Sequence, residues 1–411
     1  MNPVNRTMTN KQAATKVVHR LREEGYQALF AGGCVRDMLL GRQAKDYDVV
    51  TDARPKQVMD IFRRTLEIGA QFGVVVVMLK KHQVEVATFR TESGYADGRH
   101  PQEVHFSNAR EDAARRDFTI NGMFYDPVAE QVYDYVGGQT DLDRQVIRTI
   151  GEPHERFSED FLRMLRAVRF ATQLDFEIDP ATWNAVRELA GNITRISGER
   201  IGMELEAMLI SPNRARGARL LIENELADQI FPEIDPNELT AGIGVLEQLP
   251  NGAGYELTLA GLFSACKSAA VINSLAVIRP SNALIKHVQF LLDNRGVLLE
   301  DDMRLARLRL LLAEPYFDDL YEYQLAIQKA KGESVKPLET IRSRAQELKG
   351  TELTPDPLLD GHELMKLGVK PGPMVGEVAR EMYLEQLDNR LRTRQKAEEW
   401  VRNRINSDKT G

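Results

Sequence analysis

The 411-residue sequence has few of the features that mark secreted, disulfide-bonded or membrane proteins. It contains two cysteines, Cys34 and Cys266, which lie far apart and have no CxxC or histidine pattern beside them. A disulfide framework and a zinc site are therefore not predicted. No apolar run approaches the roughly 20 residues that span a bilayer, and the first residues lack the apolar core of a signal peptide. We expect a cytoplasmic protein that does not bind membranes.

The chain also lacks an excess of positive charge. Its 54 basic and 61 acidic residues give a formal net charge of −7. This balance argues against a protein coated in basic surface, but local patches decide nucleic-acid binding, so an RNA partner stays open. The hydrophobic content of 43% and charged content of 28% are typical of a globular protein. A chain of this length is expected to form roughly two to four domains.

Hydrophobic periodicity predicts a small mixed α/β region followed by a helical remainder. The predicted elements of the first region are, in chain order, a helix at 11–24, a strand at 27–31, a helix at 35–40, a strand beginning at Asp46, a helix from Pro55, a hairpin of strands at 74–79 and 84–90, and a strand at 131–135. Residues 91–108 are rich in Gly, Ser, Asp, His and Pro, which predicts a mobile loop. After Thr149 the pattern is helical almost without interruption.

The most informative segment spans residues 29–51. A short apolar run ends in Gly32 and Gly33, and Arg36 follows in a helix-like stretch. Glycines at such a turn let a phosphate approach backbone N–H groups, and a guanidinium in the first turn can reach phosphate oxygens. A diglycine alone also fits an ordinary tight turn. The aspartates that follow favour the functional interpretation.

Asp46 and Asp48 stand two positions apart at the start of an apolar run, so in a strand both carboxylates share one face. Glu85, between Val84 and Val86 in the next hairpin, can point to the same face. Carboxylates, phosphate oxygens and water satisfy the octahedral preference of Mg²⁺. We predict a Mg²⁺ site at Asp46 and Asp48, with Glu85 as a third catalytic carboxylate, that brings a hydroxyl to an α-phosphate. The alternative is a solvent-facing strand edge.

A second motif follows the predicted loop. Arg115 and Arg116 precede Asp117 and Asn121, and these last two are four positions apart and can share a helix face. Adjacent arginines are usually a solvated surface pair. Here we assign Arg116 to a phosphate contact and Asn121 to the ribose or a base edge.

A third motif repeats every three residues. Asp160, Arg163, Arg166 and Arg169 form one row on a predicted helix, beside an apolar row that includes Leu165. The alternative is an ordinary charged face next to a buried one. Three arginines in one row are costly unless an anion is nearby, and a nucleotide would supply that anion.

Together these motifs resemble those of the class II tRNA nucleotidyltransferases (CCA-adding enzymes) and the related bacterial poly(A) polymerases. The resemblance is specific from about Leu29 to Leu174 and resumes at 358–373. It is carried by Gly32-Gly33-x-x-Arg36-Asp37, Asp46-x-Asp48, Arg115-Arg116-Asp117-Phe-Thr-Ile-Asn121 and Glu159-Asp160-x-x-Arg163-x-x-Arg166-Ala-x-Arg169-Phe170.

The resemblance implies that Asp46 and Asp48 bind metal and that Asp160 and Arg163 read the incoming base. It implies nucleotide contacts for Gly33, Arg36, Arg116, Arg166 and Arg169, and it makes Glu85 the third carboxylate. The base-reading role is also chemically sensible. A carboxylate accepts from the exocyclic amine of cytosine or adenine, and a guanidinium donates to ring acceptors of both bases, whereas uracil and guanine present a carbonyl in place of the amine.

The resemblance further implies an α+β fold class: a small mixed-sheet nucleotidyltransferase head followed by an all-α neck, body and tail. The expected boundaries are 1–148 for the head, 149–212 for the neck, 213–335 for the body and 336–411 for the tail. The tail would bind tRNA through the phosphate-contacting candidates Lys366, Lys370, Arg390, Arg392, Arg394 and Lys396.

Within the family, the resemblance favours addition of CCA to tRNA 3′ ends from CTP and ATP with release of pyrophosphate. The segment 90–101 resembles the flexible loop associated with A addition, which disfavours an enzyme that adds only CC. Poly(A) polymerases usually carry a basic C-terminal extension, whereas this sequence ends soon after Arg404. Three alternatives stay open: a poly(A) polymerase, an A-adding tRNA nucleotidyltransferase, and an RNA-binding protein without catalysis. The expected partners are tRNA or other RNA 3′ ends, and no protein partner is predicted.

Overall fold

The computed structural model of the protein describes residues 8–67, 73–95 and 101–407, which fall into two compact units. The first unit comprises residues 8–236 and 274–280, and the second comprises 237–273 and 281–407. The strands lie in the N-terminal part and helices form most of the rest. This arrangement confirms the predicted fold class, a mixed-sheet head followed by a helical remainder.

The strands all belong to the first unit. They are β1 (Ala28–Ala31), β2 (Asp48–Thr51), β3 (Thr65–Leu66), β4 (Val74–Leu79), β5 (His82–Thr88), β6 (Arg90–Tyr95), β7 (Pro101–Phe106), β8 (Phe124–Asp126), β9 (Gln131–Tyr133), β10 (Val146–Ile147) and β11 (Glu177–Ile178).

The helices run through both units. They are α1 (Asn10–Glu23), α2 (Gly33–Leu39), α3 (Pro55–Ile61), α4 (Ala109–Ala114), α5 (Gly138–Asp143), α6 (Pro153–Glu159), α7 (Leu162–Leu174), α8 (Pro180–Leu189), α9 (Gly198–Leu209), α10 (Arg214–Glu223), α11 (Leu226–Ile230), α12 (Pro236–Gln248), α13 (Tyr255–Leu262), α14 (Ser268–Leu275), α15 (Asn282–Asp293), α16 (Leu305–Ala313), α17 (Phe317–Lys331), α18 (Lys336–Glu347), α19 (Gly361–Lys366), α20 (Pro373–Leu387) and α21 (Arg394–Ser407).

A seven-stranded sheet forms the centre of the head, in the order β3-β4-β5-β2-β1-β8-β9. Strands β2 and β5 are parallel, and the other neighbours are antiparallel. Helix α1 packs against β1, β2 and β5. Its N-terminus is fixed by a reciprocal capping box between Thr9 and Gln12. The apolar core beside the sheet contains Leu29, Ala31, Val50, Phe89, Ala109, Ala113 and Phe124.

The segment predicted as a mobile loop is a β-hairpin over its described residues. Strands β6 and β7 pair antiparallel from Arg90↔Phe106 to Tyr95↔Pro101, so the expectation of a loop across 91–108 is wrong there. Composition misled because the partner of each strand residue lies between 6 and 16 positions away, and strand formation depends on such partners more than on the composition of one segment. Residues 96–100, the middle of the segment that resembles a family loop, lie outside the described residues.

Four helices, α6, α7, α8 and α9, lie in the segment 149–212 that was predicted as the neck. Helices α7 and α9 run side by side in the same direction, because Arg169 bonds to Glu204 and Gln173 bonds to the carbonyl of Ala207. Strand β10 at the end of the head pairs with β11 after α7. The neck is thus joined to the head by backbone pairing as well as by side chains.

The second unit is helical throughout its described residues. Near its C-terminal end, α19, α20 and α21 surround a separate apolar core. The buried members of this core are Leu359, Leu364, Val369, Val378, Met382, Leu391, Ala397 and Val401. None of the helices in the described part of the chain combines the length and apolar character that crossing a bilayer requires.

Gly198, the first residue of α9, packs directly on the backbone of a neighbouring 3₁₀ turn. A Cβ atom at Gly198 would lie 1.9 Å from the carbonyl oxygen of Val277, whereas a Cβ at Gly191 in the same unit would meet only Gln229 Oε1 at 3.7 Å. We expect Gly198→Ala to lower the free energy of unfolding by at least about 2 kcal/mol, because backbone cannot yield as a side chain can. Gly191→Ala is the matched control, and urea unfolding is the measurement. Equal stability of the two variants would contradict this packing.

Candidate active site

A cleft of about 500 Å³ opens in the first unit between the head and the neck. Six arginines and three aspartates contribute to its walls, so the charged lining is positive overall. Such a lining favours a polyanionic ligand. The residues that line it are Gly32, Gly33, Arg36, Asp48, Arg115, Arg116, Asp117, Asn121, Asp160, Leu162, Arg163, Arg166, Phe170 and Arg200.

The diglycine turn at the end of β1 requires glycine at its first position. Gly32 has φ +74°, in the left-handed region, and its N–H donates to the carbonyl of Met123. A Cβ on Gly32 would also lie 3.1 Å from Nη1 of Arg116. Both backbone strain and close approach therefore exclude a larger side chain where this arginine enters the cleft.

The acidic residues gather at one end of the sheet. Val49 pairs with Val86 in the parallel β2–β5 ladder, so Asp48 and Glu85 lie side by side one residue earlier and on the same face. Asp46 is exposed just before β2. Burial, and then repulsion from Glu85, raise the pKa of Asp48 to about 6, with a smaller contribution from Asp46, while Arg116 lowers it. The Asp48 side chain nevertheless keeps a solvent-exposed surface.

A divalent cation would neutralise the excess of negative charge that remains around Asp48 despite Arg116. No three His, Cys, Asp or Glu side chains in the described ranges are grouped closely enough to form a ligand set. Asp48 lines the cleft, whereas Asp46 and Glu85 do not. The residues fit a metal ion that is held by one or two carboxylates and completed by oxygens of the substrate, rather than a cage made by the protein alone.

Two of the predicted phosphate-binding arginines are held in place by other protein groups. Arg116 donates through Nε and Nη2 to Asp112 Oδ2, at 3.2 and 3.0 Å, and its Nη1 donates to the carbonyl of Asn121. Arg36 donates to Asp37 Oδ1 and, at 2.9 Å, to Asn121 Oδ1. Asn121 therefore lies between the two arginines. In this structure its amide oxygen and its carbonyl orient guanidinium groups.

Asp117 joins the head to the neck. Its Oδ1 accepts from the Phe118 backbone N–H and from Asn121 Nδ2, and its Oδ2 accepts from Nε and Nη2 of Arg166 at 2.8 and 2.6 Å. Burial alone would raise the pKa of Asp117. The charge of Arg166 and these hydrogen bonds instead hold the pKa at about 2. A buried, fully bonded carboxylate thus locks α7 onto the head.

The two predicted base-reading residues, Asp160 and Arg163, both line the cleft, and no hydrogen bond between their side chains is present among the described residues. Asp160 Oδ2 accepts from Nη2 of Arg200 at 2.6 Å. Arg163 bonds through Nη1 to Glu159 and, at 2.8 Å, to the carbonyl of Arg156. Each side chain is therefore held separately, one by α9 and the other by the end of α6.

The spacing of the arginines on α7 led us to expect that a nucleotide would balance their charge. In the structure, carboxylates of the protein balance it instead. Arg163 pairs with Glu159, and Arg166 pairs with Asp117, so the protein itself supplies the anions. Arg169 pairs with Glu204 and lies outside the residues that line the cleft. The sequence could not show this because Asp117 and Glu204 come from distant segments.

Several residues that line the cleft had no assigned role from sequence. Phe170 is surrounded by the guanidinium groups of Arg36, Arg166 and Arg169, whose central carbons lie 5.2, 5.2 and 4.1 Å from the ring centre. The sequence could have indicated Phe170, because it directly follows the predicted nucleotide contact Arg169. It could likewise have indicated Arg115, which directly precedes Arg116, a predicted phosphate contact. For Leu162 and Arg200 no pattern in the sequence gave a signal.

The Asp117–Arg166 pair predicts a pH-dependent contribution to stability. A folded-state pKa of about 2, below the ordinary value of 3.8, means that the pair stabilises the protein above the unfolded pKa and loses this effect as pH falls toward 2. We expect Asp117→Asn to cost about 2 kcal/mol near pH 7 and progressively less below pH 4, because a protonated aspartate resembles asparagine.

The measurement is urea unfolding at several pH values, with Asp60→Asn as control, because Asp60 is exposed on α3 and forms no ion pair in the described part of the chain. A pH-independent difference between Asp117→Asn and the unmodified protein would show that the charge of Asp117 is not the source of the effect.

The chain is similar in sequence to two family models and to curated relatives. Residues 28–148 match the model of the poly A polymerase head domain, and residues 175–238 match a probable RNA- and SrmB-binding site of polymerase A. The CCA-adding enzyme of Enterococcus faecalis is 35% identical over 396 residues, which is 93% of each chain. That of Bacillus pumilus is 42% identical over 227 residues, 55% of this chain and 56% of the relative.

The similarity extends to solved structures. The crystal structure of the Bacillus stearothermophilus CCA-adding enzyme in complex with CTP superposes with a TM-score of 0.78 at 28% identity and covers all of both chains. The Thermotoga maritima CCA-adding enzyme, complexed with tRNA, shares the fold with a TM-score of 0.67 at 21% identity, over 96% of this chain and 95% of that one. With this coverage and identity, the chain belongs to the class II CCA-adding enzyme and poly(A) polymerase family.

Proposed function

We propose that this protein adds C, C and A to the 3′ ends of tRNA from CTP and ATP, with release of pyrophosphate. The observation that carries the proposal is the convergence of Asp48, six arginines and Asp160 in one cleft. The cleft thus combines an acidic corner, formed by Asp48 with Glu85 beside it, with arginines that can bind a polyphosphate and with Asp160, which can read a base. The full-length similarity to CCA-adding enzymes supports this reaction over poly(A) synthesis.

In this proposal Asp46 and Asp48 hold a divalent metal ion, which we take to be Mg²⁺. When bound, such an ion activates the attacking 3′-hydroxyl and neutralises charge on the α-phosphate. Arg36 and Arg116 bind the triphosphate, since both are oriented in the cleft before substrate arrives. Pre-oriented donors lower the entropic cost of binding and hold the α-phosphate in line with the hydroxyl.

Asp160 and Arg163 select the base. Asp160 accepts from the exocyclic amine of cytosine or adenine, and Arg163 donates to the ring acceptors that both bases share. The separate attachments of Asp160 to α9 and of Arg163 to α6 keep the two groups available to the base, since neither neutralises the other. This arrangement would let one pair of side chains serve both nucleotides.

The four-part division at 148, 212 and 335 remains part of the proposal, with the tail as a tRNA-binding segment. Lys366, Lys370 and Lys396 are exposed in the tail. Arg390 and Arg394 are engaged with Glu385 and Glu363, so the lysines are the better candidates for phosphate contacts. A cytoplasmic location, where tRNA and nucleoside triphosphates are available, completes the proposal.

The proposal predicts discrete, tRNA-specific addition. Purified protein with Mg²⁺, CTP and ATP should extend a tRNA that ends before CCA by three nucleotides, extend one that ends after CC by a single A, and leave an unstructured RNA unextended. Asp48→Asn should lower the rate by at least about a thousandfold, because the metal contributes several kcal/mol to the transition state. Gel electrophoresis at nucleotide resolution measures both results.

Asp60→Asn is the control for this assay and should retain the full rate. Long A tails on any RNA would establish a poly(A) polymerase instead. Addition of A alone would establish an A-adding enzyme, and RNA binding without extension would establish a binding protein.

The base-reading role predicts a loss of selectivity in Asp160→Ala. We expect the ratio of C to U addition, and of A to G addition, to fall by about tenfold to a hundredfold, because the acceptor that rejects a carbonyl is removed. Single-turnover rates with each nucleotide measure the ratios, and Asp60→Ala is the control. Unchanged ratios would refute the assignment of Asp160 to the base.

A further inference from the structure

Arg200 enters the cleft from α9, a helix to which the sequence motifs assign no role in the site. Its Nη2 atom lies 2.6 Å from Oδ2 of Asp160, although the two residues are 40 positions apart in sequence. The side chains of Arg200 and Asp160 are only 20% and 16% exposed. Ion pairs at this depth are screened less than surface pairs, and one partner constrains the other.

The Asp160 carboxylate is held at both of its oxygens. Oδ1 accepts from the backbone N–H of Leu162 at 3.1 Å, and Oδ2 accepts from Arg200. Each carboxylate oxygen has two acceptor positions, so one position on each oxygen is left for a ligand. With both oxygens tied, the carboxylate cannot rotate freely, and its remaining acceptor positions have fixed directions.

Arg163, the arginine nearest to Asp160 along the chain, does not perform this task, and Asp160 itself lies in extended backbone just before α7. Its guanidinium is bonded to Glu159 and to the carbonyl of Arg156. Arg166, one turn further along, is bonded to Asp117. Within the described residues, Arg200 is the guanidinium that hydrogen-bonds to Asp160.

Helix α9 is itself fixed in place, so it can act as a rigid support. One turn beyond Arg200, Glu204 bonds to Nε of Arg169. At the start of α9, Gly198 allows backbone contact with Val277. The position of the Arg200 guanidinium is therefore set by packing on both sides.

We propose that Arg200 is a positioning residue for nucleotide selection: it fixes the Asp160 carboxylate so that its free acceptor positions face the exocyclic amine of cytosine or adenine. This proposal rests on the proposed function. An ionised carboxylate offers acceptors only, so a fixed one repels the carbonyl of uracil or guanine, whereas a mobile one can turn away and tolerate it. Arg200 thus acts on specificity through Asp160 without contacting the base.

The test compares Arg200→Ala and Arg200→Lys with the unmodified protein in single-turnover addition of C and U to a tRNA that ends before CCA. We expect the C to U ratio to fall by about tenfold in Arg200→Ala, less than in Asp160→Ala, since the carboxylate remains but is misaligned. Arg200→Lys keeps a positive charge near Oδ2 and should recover part of the ratio.

The matched control is Arg279→Ala. Arg279 pairs with Glu199, the neighbour of Arg200 on α9, through an exposed ion pair, with side chains 69% and 52% exposed. This variant should keep the ratio of the unmodified protein. A loss in Arg279→Ala equal to that in Arg200→Ala would assign the effect to the stability of α9 and overturn the proposal.

A double variant separates positioning from a purely structural role. In an Asp160→Ala background, Arg200→Ala should cause no further loss of selectivity, because Arg200 acts only through that carboxylate. A further loss, or an unchanged ratio in Arg200→Ala itself, would overturn the proposal. If Arg200→Ala does not fold, Arg200→Lys and Arg200→Gln give the same comparison. Failure of the unmodified protein to add C to tRNA would instead overturn the proposed function.

Discussion

The buried bond between Asp117 and Arg166 is the interaction on which the cleft depends. The carboxylate comes from the segment of the head between α4 and the 3₁₀ turn at Thr119–Asn121. The guanidinium comes from α7 in the neck. Through Asn121, the same carboxylate is connected to Arg36 beside the diglycine turn. One side chain therefore links Arg36, a predicted phosphate contact, to helix α7, on which the predicted base-reading residue Arg163 lies.

The cleft is positive, yet most of its arginines already have an acidic partner. Asp112 holds Arg116, Glu159 holds Arg163 and Asp117 holds Arg166. Burying an unpaired guanidinium would be costly, so these carboxylates make the apo cleft stable. They also hold the guanidinium groups in defined orientations. This local arrangement explains how a chain with a net charge of −7 can present a positively charged cleft.

The acidic corner follows the opposite principle. Asp48 and Glu85 are neighbours because β2 and β5 are parallel and in register, and repulsion between them contributes to the raised pKa of Asp48. The head leaves an excess of negative charge at one end of the sheet, and paired arginines line the facing wall of the cleft. A metal ion with a triphosphate complements this pattern, because it supplies a cation at the corner and an anion at the wall.

The sequence by itself determined the residue types and local spacings of the site: glycines at the turn, carboxylates two positions apart at the start of β2, and arginines that recur every three residues on α7. These features depend on the alternation of a strand and the rise of a helix, so a single segment shows them. Five of the eleven strands, and the helices α1, α2 and α3, were predicted for the same reason. The β6–β7 hairpin was missed because its pairing is not local.

Only the tertiary structure decided which charges meet. Glu204 was not visible as the partner of Arg169, nor Arg200 as the partner of Asp160, because each pair joins segments 35 or 40 residues apart. The strength of an ion pair depends on separation and burial, and both are fixed by how α7 and α9 pack. The sequence shows which charged groups are present and how they are spaced, and the packing of α7 and α9 determines which of them form ion pairs.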